Sequence, residues 1–189
     1  MTTWDGVVIA RTPRLVLRTF KLDDLPLYAA LNADPAVYAT LSGSPLSREE
    51  SDSIAAWAQN LYAYKSIGLL AIERHSDGEF LGMCGLHHME SHPDDVEVGW
   101  RLAPEHWGHG YATEAAAGWL DLGFGPLGLT RIVSITDEDN HRSLAVMRRL
   151  GMEFDHNARI VDDGIEFDAS VYSISADQWA SGPLAEHGV

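Results

Sequence analysis

The sequence predicts a mixed α/β (α+β) fold with a central sheet flanked by helices. Three strand-like segments follow one another in the middle of the chain with only turns between them. After them, helical and strand-like patterns alternate to the end. Nothing rich in Pro, Ser or one sign of charge divides the 189 residues, so one domain over residues 1–189 is expected. Strands that cluster and then alternate with helices do not make a doubly wound nucleotide fold.

Residues 14–18 (Arg-Leu-Val-Leu-Arg), a short apolar run between two arginines, predict a first strand. Asp23 and Asp24 open a short helix through Leu31, which Asp34-Pro35 breaks. Ser47 followed by Glu50 forms a capping box ahead of a helix to about Tyr64, with Ile54, Trp57 and Leu61 at helical spacing. Residues 69–74, 79–88 and 95–102 read as three strands, separated by Ser76-Asp77-Gly78 and Ser91-His92-Pro93. An Ala-rich helix covers 110–124, a strand 131–136 and a helix 140–150, stopped by Gly151. Two more strands are expected near 151–155 and 167–174.

Charge and composition narrow the partners. Lys and Arg number 13 against 28 acidic residues, a net −15 that repels phosphate backbones and anionic membranes. Only Arg142, Arg148 and Arg149 group as a basic patch, so nucleic acid is not an expected partner. The acidity either keeps the protein soluble or favours a cationic partner such as an amine. No apolar run reaches 18 residues and the first fifteen lack a secretory pattern, so the chain reads as cytoplasmic. Cys84 is the single cysteine and lies in an apolar strand, which suits a core position better than a nucleophile.

The stretch Trp107-Gly108-His109-Gly110-Tyr111-Ala112-Thr113-Glu114 carries the most information, because it leaves a strand and opens a helix. Two glycines let backbone approach a ligand, and the first N–H groups of a helix lack internal partners. Together they would make an anion site suited to a pyrophosphate. The alternative is that the glycines only shape the turn. No Walker string occurs, and Thr113 stands where a dinucleotide fingerprint needs a third Gly or Ala. Ala112, Ala115, Ala116 and Trp119 form a stripe that lets this helix sit close to a sheet.

These motifs occur in order: residues 14–18, then Glu97-Val-Gly-Trp100, then Pro104 through Glu114, then Asn140-His-Arg-Ser143, then Leu150-Gly151. The series resembles the GNAT superfamily of N-acetyltransferases, in the branch of ribosomal-protein N-terminal acetyltransferases (RimJ/RimL-type), over about residues 10–175. The resemblance implies a splayed central sheet with acetyl-CoA in the gap, acting as co-substrate, and no metal. It implies an acyl-CoA-dependent N-acetyltransferase that acetylates a primary amine by direct attack in a ternary complex. The acceptor would be a peptide or protein N-terminus or a small amine. Two other readings stay open, a non-catalytic acetyl-CoA-binding module and transfer of another acyl group.

By the same resemblance, Trp107, Gly108, His109, Gly110, Tyr111 and Ala112 would hold the pyrophosphate, with Glu105 replacing the usual opening Gln or Arg. Trp100, Arg101 and Leu102 would pair their backbone with the pantetheine arm. Asn140 and Ser143 would touch the cofactor from one helical face, although Asn140 is also a good N-cap. The tyrosine that protonates the departing thiolate in many members is Met147 here, which leaves Ser143 as the candidate donor.

Glu97 is the candidate general base. It shares a strand face with Gly99 and Arg101, which places a carboxylate beside open space. A Glu97–Arg101 ion pair is the alternative, and His87 and His88 are reserve bases. A neutral amine must attack the thioester, and α-amines (pKa about 8) supply that form near pH 7 better than lysine at about 10.4. Nine histidines show no metal-site spacing, so no metal is expected. Trp57 and Tyr62 either pack ordinarily or, by family analogy, wall the acceptor site.

Overall fold

The computed structural model describes residues 3–39, 44–89, 92–162 and 165–184. Eight strands form one sheet in the order β1-β2-β3-β4-β5-β6-β8-β7. They are β1 (Val8–Arg11), β2 (Leu15–Arg18), β3 (Leu69–Arg74), β4 (Phe80–Met89), β5 (His92–Leu102), β6 (Arg131–Asp137), β7 (Glu153–Asp162) and β8 (Ile165–Ser175). The helices are α1 (Asp24–Ala33), α2 (Pro35–Tyr38), α3 (Arg48–Lys65), α4 (Tyr111–Phe124), α5 (His141–Arg149) and α6 (Ala176–Ser181). The expected mixed α/β architecture is observed.

Neighbouring strands run antiparallel except β5 and β6, which run parallel. Those two meet at one register position, Glu97 opposite Val133. Past it, residues 98–102 and 134–137 do not pair with each other, and the sheet opens at the C-terminal ends of both strands. That opening is the splay that the family resemblance implies.

Helices cover both faces. Tyr28 of α1 donates its hydroxyl to Met83 of β4, and the Ala58 carbonyl of α3 lies against Gly68 at the start of β3. These contacts place α1 and α3 on the face of the odd-numbered β4 residues. Leu86, from the even-numbered side, instead meets Gly123 of α4. Ala115, Ala116 and Trp119 are buried there as the small-residue stripe predicts. α6 closes on α4 through Trp179, whose indole donates to Asp121 at 2.8 Å.

The capping box at Ser47 and Glu50 forms as read from sequence. The face that α3 buries is different from the expected one. Ser51, Ala55, Ala58 and Gln59 are buried, whereas Trp57 is 49% exposed, so ordinary packing does not explain it. Small residues win because the α3 backbone comes within contact distance of Gly68. Sequence reading also missed β1, α2 and α6, and it ended the seventh strand seven residues early.

Beneath α1 lies a buried charge cluster. Arg18 is 2% exposed and donates NH1 and NH2 to the two Asp24 oxygens at 2.6 and 2.9 Å. Its Nε reaches Glu73 at 2.7 Å, and Lys21 reaches the same Glu73 oxygen at 2.7 Å. Burial works to raise Glu73, but the hydrogen bonds from Lys21 and Arg18 outweigh it and hold the carboxyl below its usual value.

Candidate active site

The glycine loop leaves β5 through a 3-10 turn at Pro104–His106 and enters α4 at Tyr111. Gly108 and Gly110 take φ of +79° and +80°, which glycine adopts without strain. Gly110 is the N-cap of α4 and supplies no side chain, so the first N–H groups of the helix stay available to a ligand. The Trp107 indole donates to the Leu102 carbonyl at 2.8 Å and folds the loop back on the strand end.

A clamp from the start of the chain holds this loop. Arg14 donates Nε to Glu114 at 2.6 Å and NH1 to the His109 carbonyl at 3.0 Å, and its guanidinium lies 4.8 Å from the centre of the Tyr111 ring. Glu114 also accepts from the Arg14 backbone N–H and the Thr12 hydroxyl. On the other side, the Arg142 guanidinium stacks 4.4 Å from the Trp107 ring centre. Sequence reading used Arg14 and Glu114 only as parts of motifs. Their pairing spans 100 residues, so no local signal carries it.

The loop, the end of β5 and the start of α5 enclose a cavity of about 650 Å³. Trp100, Arg101, Leu102, Trp107, Gly108, His109, Gly110, Tyr111, Ala112, Asn140 and Ser143 all line it. Arg142 and Arg149 from α5 and Val37 from α2 join them, and sequence reading did not foresee these three there. Two buried polar atoms on cavity-lining residues, Arg101 Nε and Thr113 Oγ1, lack a hydrogen-bond partner among the described residues. Asn140 does cap α5, accepting from the Ser143 N–H at 3.1 Å. Met147 is fully buried in the core and does not line the cavity.

Glu97 is buried at the point where β5 and β6 part, and it does not line that cavity. Its Oε1 accepts from the Ile135 N–H of β6 at 3.2 Å, and its Oε2 lies 3.4 Å from Nε2 of His87. The expected alternative, a Glu97–Arg101 pair, does not form. Arg101 instead donates NH1 to Asn32 of α1 at 2.6 Å, because α1 crosses that face of β5. Burial pushes the His87 imidazole below its usual value and keeps it neutral. Nδ1 of His87 faces the His88 carbonyl and Nε2 faces the Glu97 carboxylate, each at 3.4 Å, and the single proton of the neutral ring serves one of these two acceptors. A carboxylate oxygen and an imidazole nitrogen thus meet at one point, an arrangement able to hold and pass a proton.

Cys84 is fully buried, and burial pushes its thiol far up, so it is core and not a nucleophile. Among the described residues, no group of three or more His, Cys, Asp or Glu side chains could hold a metal. No helix among them is long and apolar enough to cross a membrane.

A split sheet beside a glycine-lined helix start defines an acetyltransferase class of site, and comparison with known proteins agrees. Residues 14–153 match the model of the acetyltransferase (GNAT) domain, and the chain belongs to that family. An uncharacterised N-acetyltransferase of Bacillus subtilis, YoaA, is 29% identical over 88% of this chain and 96% of its own. An FsC-acetyl coenzyme A-N(2)-transacetylase of Aspergillus fumigatus is 29% identical over 86% of this chain and 77% of its own. The crystal structure of an acetyltransferase from Agrobacterium tumefaciens superposes with a TM-score of 0.77. It is 29% identical, covering 92% of this chain and 98% of that one.

Proposed function

We propose that this member of the family transfers an acetyl group from acetyl-CoA to a primary amine, both bound at once. The carrying observation is the start of α4, uncapped by any side chain and preceded by two left-handed glycines, at a cavity where the Thr113 hydroxyl has no partner among the described residues. These groups fit the ligand. Backbone N–H groups of residues 108–113 would take its diphosphate, and Thr113 Oγ1 would gain a partner. Arg142 and Arg149 line the same cavity, meet no carboxylate among the described residues, and would take further phosphate charge. The backbone of Trp100 to Leu102 would align the arm. The name of the Aspergillus fumigatus relative, which includes acetyl coenzyme A, supports this donor.

Acetyl-CoA supplies an activated thioester. The chain's own residues then supply proton transfer. Glu97 and neutral His87 take the amine's proton, directly or through water, with Glu97 held in place by the Ile135 N–H. Ser143 Oγ offers a proton to the departing sulfur, the role Met147 cannot fill. The order of motifs along the chain supports the RimJ/RimL-type branch, and the acidic surface disfavours nucleic acid as a partner.

Gly110→Val is expected to raise the acetyl-CoA dissociation constant at least about tenfold, because a β-branched residue at this φ costs roughly 1–2 kcal/mol and would turn the donors away. Calorimetric titration with acetyl-CoA reads this directly. The function itself is tested by thiol release from acetyl-CoA against peptides with free N-termini, amino acids, polyamines and aminoglycosides. The buried Cys84 adds no background in the folded protein. Turnover of one amine class is the expected result. Tight acetyl-CoA binding without turnover of any amine would replace this reading with a non-catalytic module, and preference for propionyl- or succinyl-CoA would change the donor.

A further inference from the structure

Arg14, Arg18, Arg48, Arg74, Arg131 and Arg159 each meet a carboxylate. Arg101 does not among the described residues, although the chain carries 28 acidic groups. Its NH1 is held by the Asn32 amide oxygen at 2.6 Å. Asn32 is itself fixed, since its Nδ2 donates to the fully buried Ser51 hydroxyl of α3 at 3.1 Å. Two helices therefore set the plane of the guanidinium. What remains is its other edge, where Nε is buried without a hydrogen-bond partner among the described residues, on a residue that lines the cavity. An Nε/NH2 edge is a planar fork that matches a carboxylate with two parallel hydrogen bonds.

The position of Arg101 separates this anion from the cofactor's phosphates. The glycine loop, Arg142 and Arg149 serve the side of α4 and α5. Glu97, Gly99 and Arg101 alternate onto the other face of β5, where Asn32 of α1 meets Arg101. His87 Nε2 lies 3.4 Å from Glu97 and would be 3.5 Å from a Cβ on Gly99, so this face forms a strip with a proton-accepting pair at one end and the fork at the other. Leu69 and His87 pack over the middle of the strip, 3.4 and 3.5 Å from where a Cβ on Gly99 would sit, so the open end of the strip is the one at Arg101, which lines the cavity. The two ends are roughly 13 Å apart between Cα atoms at strand spacing, a gap the two side chains shorten.

We infer that Arg101 binds a carboxylate on the acceptor, so that the amine acetylated here belongs to an amino acid or a related amino-carboxylate. The inference rests on the transferase reading above and names its substrate class. A zwitterion carries no net charge, so the field of a −15 chain does not repel it as it would a dianion.

The test compares α-amino acids and ω-amino acids of increasing length, each with its carboxamide, on the wild-type enzyme, Arg101→Gln and Arg101→Lys. Wild type is expected to favour the acid over its amide by about tenfold to a hundredfold in kcat/KM. Arg101→Gln is expected to reduce that ratio to near one, mainly through the acceptor KM, with the acetyl-CoA KM unchanged. Arg101→Lys should retain part of the ratio, since it keeps the charge and loses the fork. Calorimetric binding of the preferred acid to the CoA-bound protein should weaken in parallel. A purely structural Arg101 would lower acids and amides alike and leave the ratio intact, which overturns the inference. Equal use of amides or polyamines by wild type overturns it and leaves the transferase standing, as does an Arg101→Gln defect confined to acetyl-CoA. Absence of turnover with every amine overturns both.

Discussion

Replacing Asp24 with Ala is expected to lower stability by about 3 kcal/mol, the lower end for breaking a buried ion pair, because Arg18 keeps Glu73. Arg18 is 2% exposed and directs two hydrogen bonds at the two Asp24 oxygens, so the substitution leaves the buried guanidinium with Glu73 as its one remaining carboxylate among the described residues. Asp24 also accepts from the Lys21 N–H at 2.7 Å and fixes the start of α1. The effect should therefore reach the site, because α1 presents Asn32 to Arg101. Urea denaturation of Asp24→Ala and of the double variant Arg18→Met/Asp24→Leu checks this. The double variant should recover much of the loss, since paired apolar groups replace a buried ion pair at little cost. A loss below about 1 kcal/mol in Asp24→Ala would mean the pair behaves as a surface one. The cluster also sets an acid limit. Because the folded state holds Glu73 below its usual value, its contribution is present above the ordinary carboxylate range and is lost as pH falls through the lowered value.

Glu97→Gln is expected to reduce kcat by about a hundredfold to ten-thousandfold, the range of a lost general base. The amide keeps an oxygen for the Ile135 N–H, so the junction of β5 and β6 should survive and acetyl-CoA affinity should not change. His87→Gln should have a smaller effect of the same kind. The sign of the pH dependence follows from burial, which lowers the imidazole from its ordinary 6.5. His87 stays a proton acceptor below that value, so the acid limb of kcat/KM should fall below pH 6.5 and not above it. Steady-state rates across pH with one amine held fixed decide the matter. An unchanged kcat in Glu97→Gln would move the base elsewhere.

The elements legible in the sequence are those whose signals are local. The Leu15-Val16-Leu17 run between two arginines marks β2, buried at every position, the Ser47–Glu50 box marks the start of α3, and the Ala stripe marks the buried face of α4. β1 escaped because four residues at a sheet edge, with Val8 46% exposed, carry no burial pattern. The cavity lining was legible because glycines at a strand-to-helix turn and an Asn at a helix start are tied to backbone geometry. What lay beyond reach was every contact made across the fold. The sequence places Arg101 two residues from Gly99, but it does not place Asn32, 69 residues away, at its NH1. Nor does it reveal that α3 buries Ser51 and Ala58 in preference to Trp57, because that choice depends on how near the helix must come to Gly68.

The measurement that tests the account most directly is a calorimetric titration of the wild-type protein with acetyl-CoA, followed by the same titration of Gly110→Val. The account predicts one saturable site per chain in wild type, weakened at least about tenfold in the variant. Absence of binding in wild type, or equal binding by both proteins, would contradict the assignment of the glycine-lined cavity.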